Sequence, residues 1–318
     1  MEIRKIGKGD LVECIGLAKE AYDKQITQVI SFCTEDIGTQ LMHQLKMFVD
    51  EEKGIVYVEK GKIVGYLLEG YTWVQEDIKH IYIPVFGCSI SQEMKNRGLV
   101  LQKLFSRQAQ EMASEGMSLH YEIKCYAYDQ ALMTELVYEQ FGCECLEGVR
   151  AVSVRAFEPE GNEVYRKFSK QDISERREEI LELYHGLVNH LRQSPVFYPG
   201  KEFTDEVYLD YILDEATYLY GVERRGELIG IIDASLNEDH FVLGRTEAYD
   251  MGDVYIKENS RGCGIASNLL AFAEQDLAQN GAWLLHVEHG TANINARLFW
   301  DKYFETVIYT FIRDIPVV

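Results

Sequence analysis

Basic residues are scarce in this chain: 32 Lys and Arg stand against 52 Asp and Glu over 318 residues, a formal net charge of −20. Phosphate backbones are held largely by Lys and Arg, so nucleic acid is excluded as a partner. An anionic membrane surface is excluded by the same repulsion. No stretch reaches the roughly 18 uninterrupted apolar residues of a spanning helix, and Met1-Glu2-Ile3-Arg4-Lys5-Ile6-Gly7 lacks a signal-peptide core, which predicts a cytoplasmic protein. Paired cysteines are missing too. The seven thiols are scattered, and the C-x-C at Cys143 and Cys145 has no second pair or His cluster beside it. That pattern predicts unpaired thiols and no metal site.

What the chain does have is a repeat. Ile3-Arg4-Lys5-Ile6-Gly7-Lys8-Gly9-Asp10 resembles Tyr165-Arg166-Lys167-Phe168-Ser169-Lys170-Gln171-Asp172, and Val58–Gly65 resembles Val222–Gly230. Arg97-Gly98 recurs as Arg261-Gly262, and Tyr138-Glu139-Gln140-Phe141 resembles Trp300-Asp301-Lys302-Tyr303, all at offsets of 162 to 165. Two copies of one unit are therefore expected, over 1–157 and 163–318, joined near Glu158-Pro159-Glu160-Gly161-Asn162. In the second copy the spacing predicts a strand over 164–168, a helix over 171–192 and a Thr204-capped helix over 205–214. A hairpin over 218–235 and a strand over 247–256 come next. The remaining elements alternate: a helix over 263–279, a strand over 283–287, a helix over 293–304 and a closing strand over 307–314. Strands in a run followed by alternation with helices describe a mixed, mainly antiparallel α/β sheet flanked by helices (α+β), not a doubly wound one.

Chemistry concentrates at Asp253-Val254-Tyr255-Ile256-Lys257-Glu258-Asn259-Ser260-Arg261-Gly262-Cys263-Gly264-Ile265-Ala266, a strand running through a Gly turn into a helix. The first N–H groups of a helix have no internal partner, and Gly lets the backbone approach a ligand closely, so the segment is a ready pyrophosphate cradle. Neither the dinucleotide fingerprint nor the P-loop is present, since the position after Cys263-Gly264-Ile265-Ala266 is Ser267 and no Gly-Lys-Ser/Thr occurs.

Arg261-Gly262-Cys263-Gly264-Ile265-Ala266 resembles the Arg/Gln-x-x-Gly-x-Gly/Ala acyl-CoA motif of the GNAT N-acetyltransferase superfamily, with Val254-Tyr255-Ile256 as its upstream strand. Asn293-Ile294-Asn295-Ala296-Arg297-Leu298-Phe299-Trp300-Asp301-Lys302 resembles the family's Asn-x-x-Ala-x-x-Leu-Tyr-x-Lys element. The resemblance implies two GNAT-like acyl-CoA N-acyltransferase domains, with acetyl-CoA as cosubstrate and no metal. It places pantetheine along Val254, Tyr255 and Ile256, and pyrophosphate on Arg261 and the N–H groups of Gly262, Cys263, Gly264, Ile265 and Ala266. Asn293, Ala296 and Trp300 would complete the cofactor side. A bulge is expected near Tyr249–Gly252, with Gly252 taking an unusual φ.

An amine must lose a proton to attack a thioester, and the leaving thiolate must gain one. Glu247, Asp250 and Asp253 are the candidate bases, with a purely solvating or substrate-binding role as the bland alternative. Trp300 stands where the family usually has the Tyr acid, and an indole is not a proton-transfer acid. Tyr303, one turn on, either replaces that phenol or packs in the core, and water is a third donor. His286, Glu288 and His289 cluster after Leu284-Leu285, and Phe197 and Tyr198 lie in the loop between the first two helices.

The first copy keeps Arg97 but has Val100 and Gln102 where the motif needs Gly and a small residue. It is expected to have lost cofactor binding and to serve as scaffold, pocket wall or dimer surface. The functional expectation is acetyl transfer from acetyl-CoA to a primary amine by direct attack in a ternary complex. Its acceptor is cationic if the net charge is meaningful, and the protein is a monomer or homodimer. The alternative is a non-catalytic acyl-CoA-binding regulatory protein.

Overall fold

The computed structural model describes residues 2–32, 36–153, 161–198, 200, 203–237, 240–242 and 247–317. Of the expected junction at 158–162, positions 158–160 lie outside the described residues. Among the described residues, no helix is long and apolar enough to cross a membrane.

In chain order the first elements are β1 (Glu2–Lys5), α1 (Leu11–Ile26), α2 (Ile37–Asp50), β2 (Gly54–Glu59), β3 (Lys62–Leu68), β4 (Tyr71–Gln75) and β5 (Ile78–Ile83). They are followed by β6 (Cys88–Ile90), α3 (Arg97–Ala113), β7 (Ser118–Tyr126), α4 (Gln130–Tyr138) and β8 (Gly142–Ala151). The rest are β9 (Glu163–Phe168), α5 (Lys170–Glu175), α6 (Arg177–Arg192), α7 (Asp205–Leu213), β10 (Thr217–Arg224), β11 (Glu227–Leu236) and β12 (Ala248–Ile256). Last come α8 (Ile265–Gln279), β13 (Leu284–Gly290), α9 (Ile294–Trp300) and β14 (Glu305–Ile315).

The chain divides into two compact units, Met1–Glu147 together with Glu305–Val318, and Gly148–Phe304. This differs from the division into 1–157 and 163–318, and the difference lies in β14. The strand expected over 307–314 forms, but it does not close the second copy. It pairs antiparallel with β7, from Ile308 opposite Tyr126 to Ile315 opposite Leu119. Its Phe311 is buried in the first unit's core, in one cluster with Tyr121 and Ile123. Alternation within a strand specifies which face is apolar but not which strand it joins, so the sequence pattern leaves the partner open.

The first unit contains the sheets β1-β2-β3-β6 and β4-β5-β7-β14. β5 and β7 run parallel and stay in register from Ile78–Ser118 to Ile83–Ile123. The motif region folds differently from its glycine-bearing counterpart: α3 begins at Arg97 itself, so Gly98, Val100 and Gln102 are helical and the N–H of Val100 is spent on Asn96 O. Arg97 donates from Nη1 to Asp129 Oδ1 at 2.6 Å and from Nη2 to Ile90 O at 3.1 Å, with a second guanidinium–carboxylate contact to Asp129 Oδ2. The space beside this pair is only about 20 Å³. Arg97 is thus consumed internally, and no glycine loop precedes the helix. Both partners are largely buried, at 10% and 4% side-chain exposure. Removing one partner strands the other's charge, so Arg97→Ala is expected to cost the first unit about 3–5 kcal/mol, read as a lower urea midpoint.

In the second unit the strand order is β9-β10-β11-β12-β13. β9 to β12 are antiparallel neighbours, and β12 and β13 are parallel. Helices cover both faces: α6 and α7 pack on one side through Ile180, Tyr184, Tyr208 and Ile212, while α8 packs on the other through Leu269, Leu270, Ala273 and Leu277. The helix expected over 171–192 is broken at Arg176, which leaves helical geometry (φ −108, ψ 20) and bonds its guanidinium to Glu179 and Glu223. The helix expected from 263 starts at Ile265, because Gly264 sits at φ 76.

Candidate active site

Three local features of β12 shape the site. The first is a bulge. β11 and β12 pair Ile232 with Val254 and Ala234 with Met251, so Gly252 and Asp253 together oppose Asp233. The break falls at the C-terminal end of the expected window. Gly252 is needed for space rather than for an unusual φ: it is not among the positive-φ glycines, and a Cβ there would lie 1.9 Å from Asp233 Oδ1. Gly252→Ala is therefore expected to cost about 1–3 kcal/mol by overpacking, measured as a lowered denaturation midpoint.

The second feature is divergence. β12 and β13 are registered only from Ala248–Leu284 to Asp250–His286. Past that point β12 keeps β11 on one edge and loses β13 on the other. Lys257 N–H donates to Ile229 O at 2.8 Å, and alternation then turns the groups of Tyr255 toward β11 and those of Val254 and Ile256 toward the open edge. Ile256 O, on that edge, accepts from Arg261 Nε at 2.9 Å.

The third feature is the loop into α8. Gly262 (φ 81) and Gly264 (φ 76) both occupy the left-handed region, and nothing lies within 4 Å of where their Cβ atoms would be. Gly264 is the N-cap and brings no side-chain cap, so the first N–H groups of α8 point out of an exposed, uncapped turn. Arg261, Gly262, Cys263 and Gly264 are exposed, Ala266 is half-buried and Ile265 is buried.

These features meet in a cleft of about 280 Å³ lined by Val254, Tyr255, Ile256, Arg261, Ala266, Asn293 and Ala296, together with Leu187, His190, Asn295 and Phe299. Asn293 caps α9, its Oδ1 accepting from Ala296 N–H at 3.2 Å, and His190 Nε2 lies 3.2 Å from the same oxygen. Sequence reasoning did not single out His190. It follows Leu187 on a helix read only for its apolar stripe, and its offset of one turn from Leu187 is the clue that places it on the same side. Tyr255 lies under the Arg261 guanidinium, 5.1 Å from the ring centroid, and crosses α6 at Gly186, where a Cβ would meet its ring at 2.5 Å.

Not every candidate residue reaches the cleft. Trp300 is 3% exposed and sits in the core of the α8 face. Tyr303 OH donates to Ser267 Oγ at 2.7 Å and lines a separate cavity with Arg150 and Glu274. Neither contributes to the lining around Val254. Phe197 and Tyr198 are 68% and 38% exposed and are not part of that lining either.

The three acids have different surroundings. Glu247 is exposed, and its backbone carbonyl accepts from Trp283 N–H. Asp250 is engaged by Asn237 Nδ2 at 2.6 Å and by His286 Nδ1. Asp253 is half-buried at the bulge, where burial pushes its carboxyl up to about 6. Its N–H donates to Oδ1 of Asp233 at 3.3 Å, and Tyr211 OH donates to the same oxygen at 2.9 Å. Asp233 is fully buried, and burial together with the nearby Asp253 raises its carboxyl well above the usual range. Asp233 is the acid that sequence reasoning missed, since in Ile231-Ile232-Asp233-Ala234 it reads as one polar residue in a strand. His289 is buried near Asp301 (3.9 Å), and burial lowers its pKa.

Over the whole chain the fold resembles that of a GCN5-related N-acetyltransferase from Sphaerobacter thermophilus, with TM-score 0.57 and 12% identity, covering 100% of this chain and 96% of that one. It also resembles the GCN5-related glucosamine N-acetyltransferase region of a fungal multi-domain GH3 β-N-acetylglucosaminidase, with TM-score 0.51 and 12% identity, covering 99% of this chain and 38% of that one. No curated protein sequence matches. Residues 184–304, which run from within α6 to the end of the second unit and hold the bulge, the glycine loop and the cleft, match the model of the acetyltransferase (GNAT) family.

Proposed function

We propose that the second unit transfers an acetyl group from acetyl-CoA to a primary amine by direct attack within a ternary complex, and that the first unit is a GNAT-like fold that no longer binds the cosubstrate. The observation that carries this reading is the open edge of β12 leading straight into the uncapped, double-glycine start of α8. The pantetheine arm can add to the Val254 and Ile256 backbone as a strand would, and the pyrophosphate can sit on the N–H groups from Gly262 to Ala266. The fit is favourable because the glycine loop leaves room at both Cβ positions and Arg261 stands at the cleft wall.

Asp253 serves as the base. It lies next to Val254, whose N–H on the open edge can donate to the thioester oxygen as negative charge develops there. With Trp300 buried and Tyr303 bonded to Ser267, the thiolate regains its proton from water or from Tyr255, the phenol that lines the cleft. The acceptor is a cationic amine, in keeping with the net charge of −20.

A specific observation also favours a second reading, in which the unit binds acyl-CoA without turnover: the family's Tyr position holds a core indole. Calorimetric titration with coenzyme A, followed by a thiol-release assay with acetyl-CoA and a panel of mono- and polyamines, separates the two. Binding with turnover supports acetyl transfer. Binding with no turnover on any amine supports the regulator, and no binding removes both.

A further inference from the structure

The bulge on β12 sets Asp253 opposite Asp233 on the neighbouring strand, with the Asp233 carboxyl bonded to the Asp253 backbone, an arrangement that a lone base at Asp253 does not explain. Asp233 from β11 is fully buried, its Oδ1 takes hydrogen bonds from Tyr211 OH and Asp253 N–H, and its Oδ2 has no partner among the described residues. Gly252 is kept bare by this carboxyl, because any side chain there would occupy its place. Around the pair stand Tyr208 and Tyr211 from α7, with Tyr184 of α6 stacked on Tyr208 at 4.0 Å between ring centroids. Tyr208 and Tyr211 are both raised above the ordinary phenol value, chiefly by burial and then by Asp233, so both stay protonated, and Tyr211 is the one that donates to Asp233. Among the described residues, neither Asp233 nor Asp253 has a cationic partner. A fully buried carboxyl beside a half-buried one, with no cation to offset them, does not leave both ionised near neutral pH.

We propose that Asp233 and Asp253 hold a single proton between them across the bulge, Asp253 taking the acceptor's proton while Asp233 is the positioning residue that keeps the pair monoanionic. This rests on the acetyl-transfer reading above. The acceptor ammonium gives one proton to Asp253, and the pair passes from one proton to two. The amine nitrogen then forms its bond to the acetyl carbon as the carbon–sulfur bond breaks. The nitrogen loses its second proton during this step. Of the two protons lost by nitrogen, one ends on the thiolate sulfur and the other is released to solvent, returning the pair to one proton.

A merely structural Asp233 accepts two hydrogen bonds and nothing more, and Asn, with the same shape and an amide oxygen, would serve as well. The test is infrared difference spectroscopy of the full chain at pH 7.5, together with steady-state kinetics on Asp233→Asn. The expected result is a carbonyl band of a buried, protonated carboxylic acid in the wild-type protein, absent from Asp233→Asn. That variant is expected to lose kcat at least tenfold with an unchanged KM for acetyl-CoA. A carboxyl whose pKa is raised on folding costs stability once pH exceeds its unfolded value of about 4, so Asp233→Asn is expected to gain in melting temperature over wild type as pH rises from there. A wild-type protein that turns over amines but shows no such band, or an Asp233→Asn variant with wild-type kcat, overturns the proposal. A band that is present in a protein acetylating no amine supports the shared proton and removes the acetyl-transfer reading instead.

Discussion

Gly264→Glu is expected to abolish coenzyme A binding, with at least a hundredfold rise in Kd, or about 2.7 kcal/mol. Two effects act in the same direction. Gly264 sits at φ 76, where an L side chain is strained by about 1–2 kcal/mol. A carboxylate at the N-cap of α8 also competes for the N–H groups and repels the diphosphate it would face. Gly264→Ala separates the two: it carries the strain without the charge and is expected to weaken binding by about tenfold. Titration calorimetry reads both variants. Wild-type affinity in Gly264→Glu would mean that the ligand does not sit on this turn.

The second large effect is expected at Asp253. Asp253→Asn preserves shape and removes the proton acceptor, and kcat is expected to fall by roughly 10²–10⁴. The pH dependence carries a matching sign. A base acts only when deprotonated, and burial sets this carboxyl at about 6. Below that pH, kcat/KM of the wild-type protein is expected to fall tenfold per unit; above it the base is ready and the limb flattens. The residual activity of Asp253→Asn should lack this limb. If the limb survives in the variant, the titrating group lies elsewhere, and Asp250 with its bonded His286 is the next to substitute.

The parts of this site that were legible in the sequence are those whose chemistry is written in the backbone. The Arg261-Gly262-Cys263-Gly264 turn announces itself because Gly takes left-handed φ without the steric cost that a Cβ brings, and the β-branched Val254 and Ile256 before it mark the strand. What was not legible depends on who stands opposite whom. Gly252 reads as a conformational hinge, yet its actual constraint is the carboxyl of Asp233 across the bulge, on the neighbouring strand. Tyr303 reads as the next turn of the helix that carries Trp300, but α9 ends at Trp300, and the Tyr303 hydroxyl turns to Ser267 instead. The first copy holds a readable clue of its own. Asp129 and Asn293 are 164 positions apart, the same offset as Arg97 and Arg261. Asp in place of that Asn still caps its helix, accepting from Leu132 N–H, but its carboxylate also captures Arg97.

The return of β14 to β7 also has a consequence for how the protein comes to be made. The first unit lacks one of its strands until residues 148–304 have been synthesised, which at ribosomal speed takes roughly ten to thirty seconds. Throughout that interval the β7 edge from Leu119 to Tyr126 waits without the strand that will cover it, while the second unit has all of its residues before β14 emerges. The second unit can therefore be complete before the unit that precedes it in sequence, and a nascent chain stalled near residue 304 presents an open strand edge to other chains or to a chaperone.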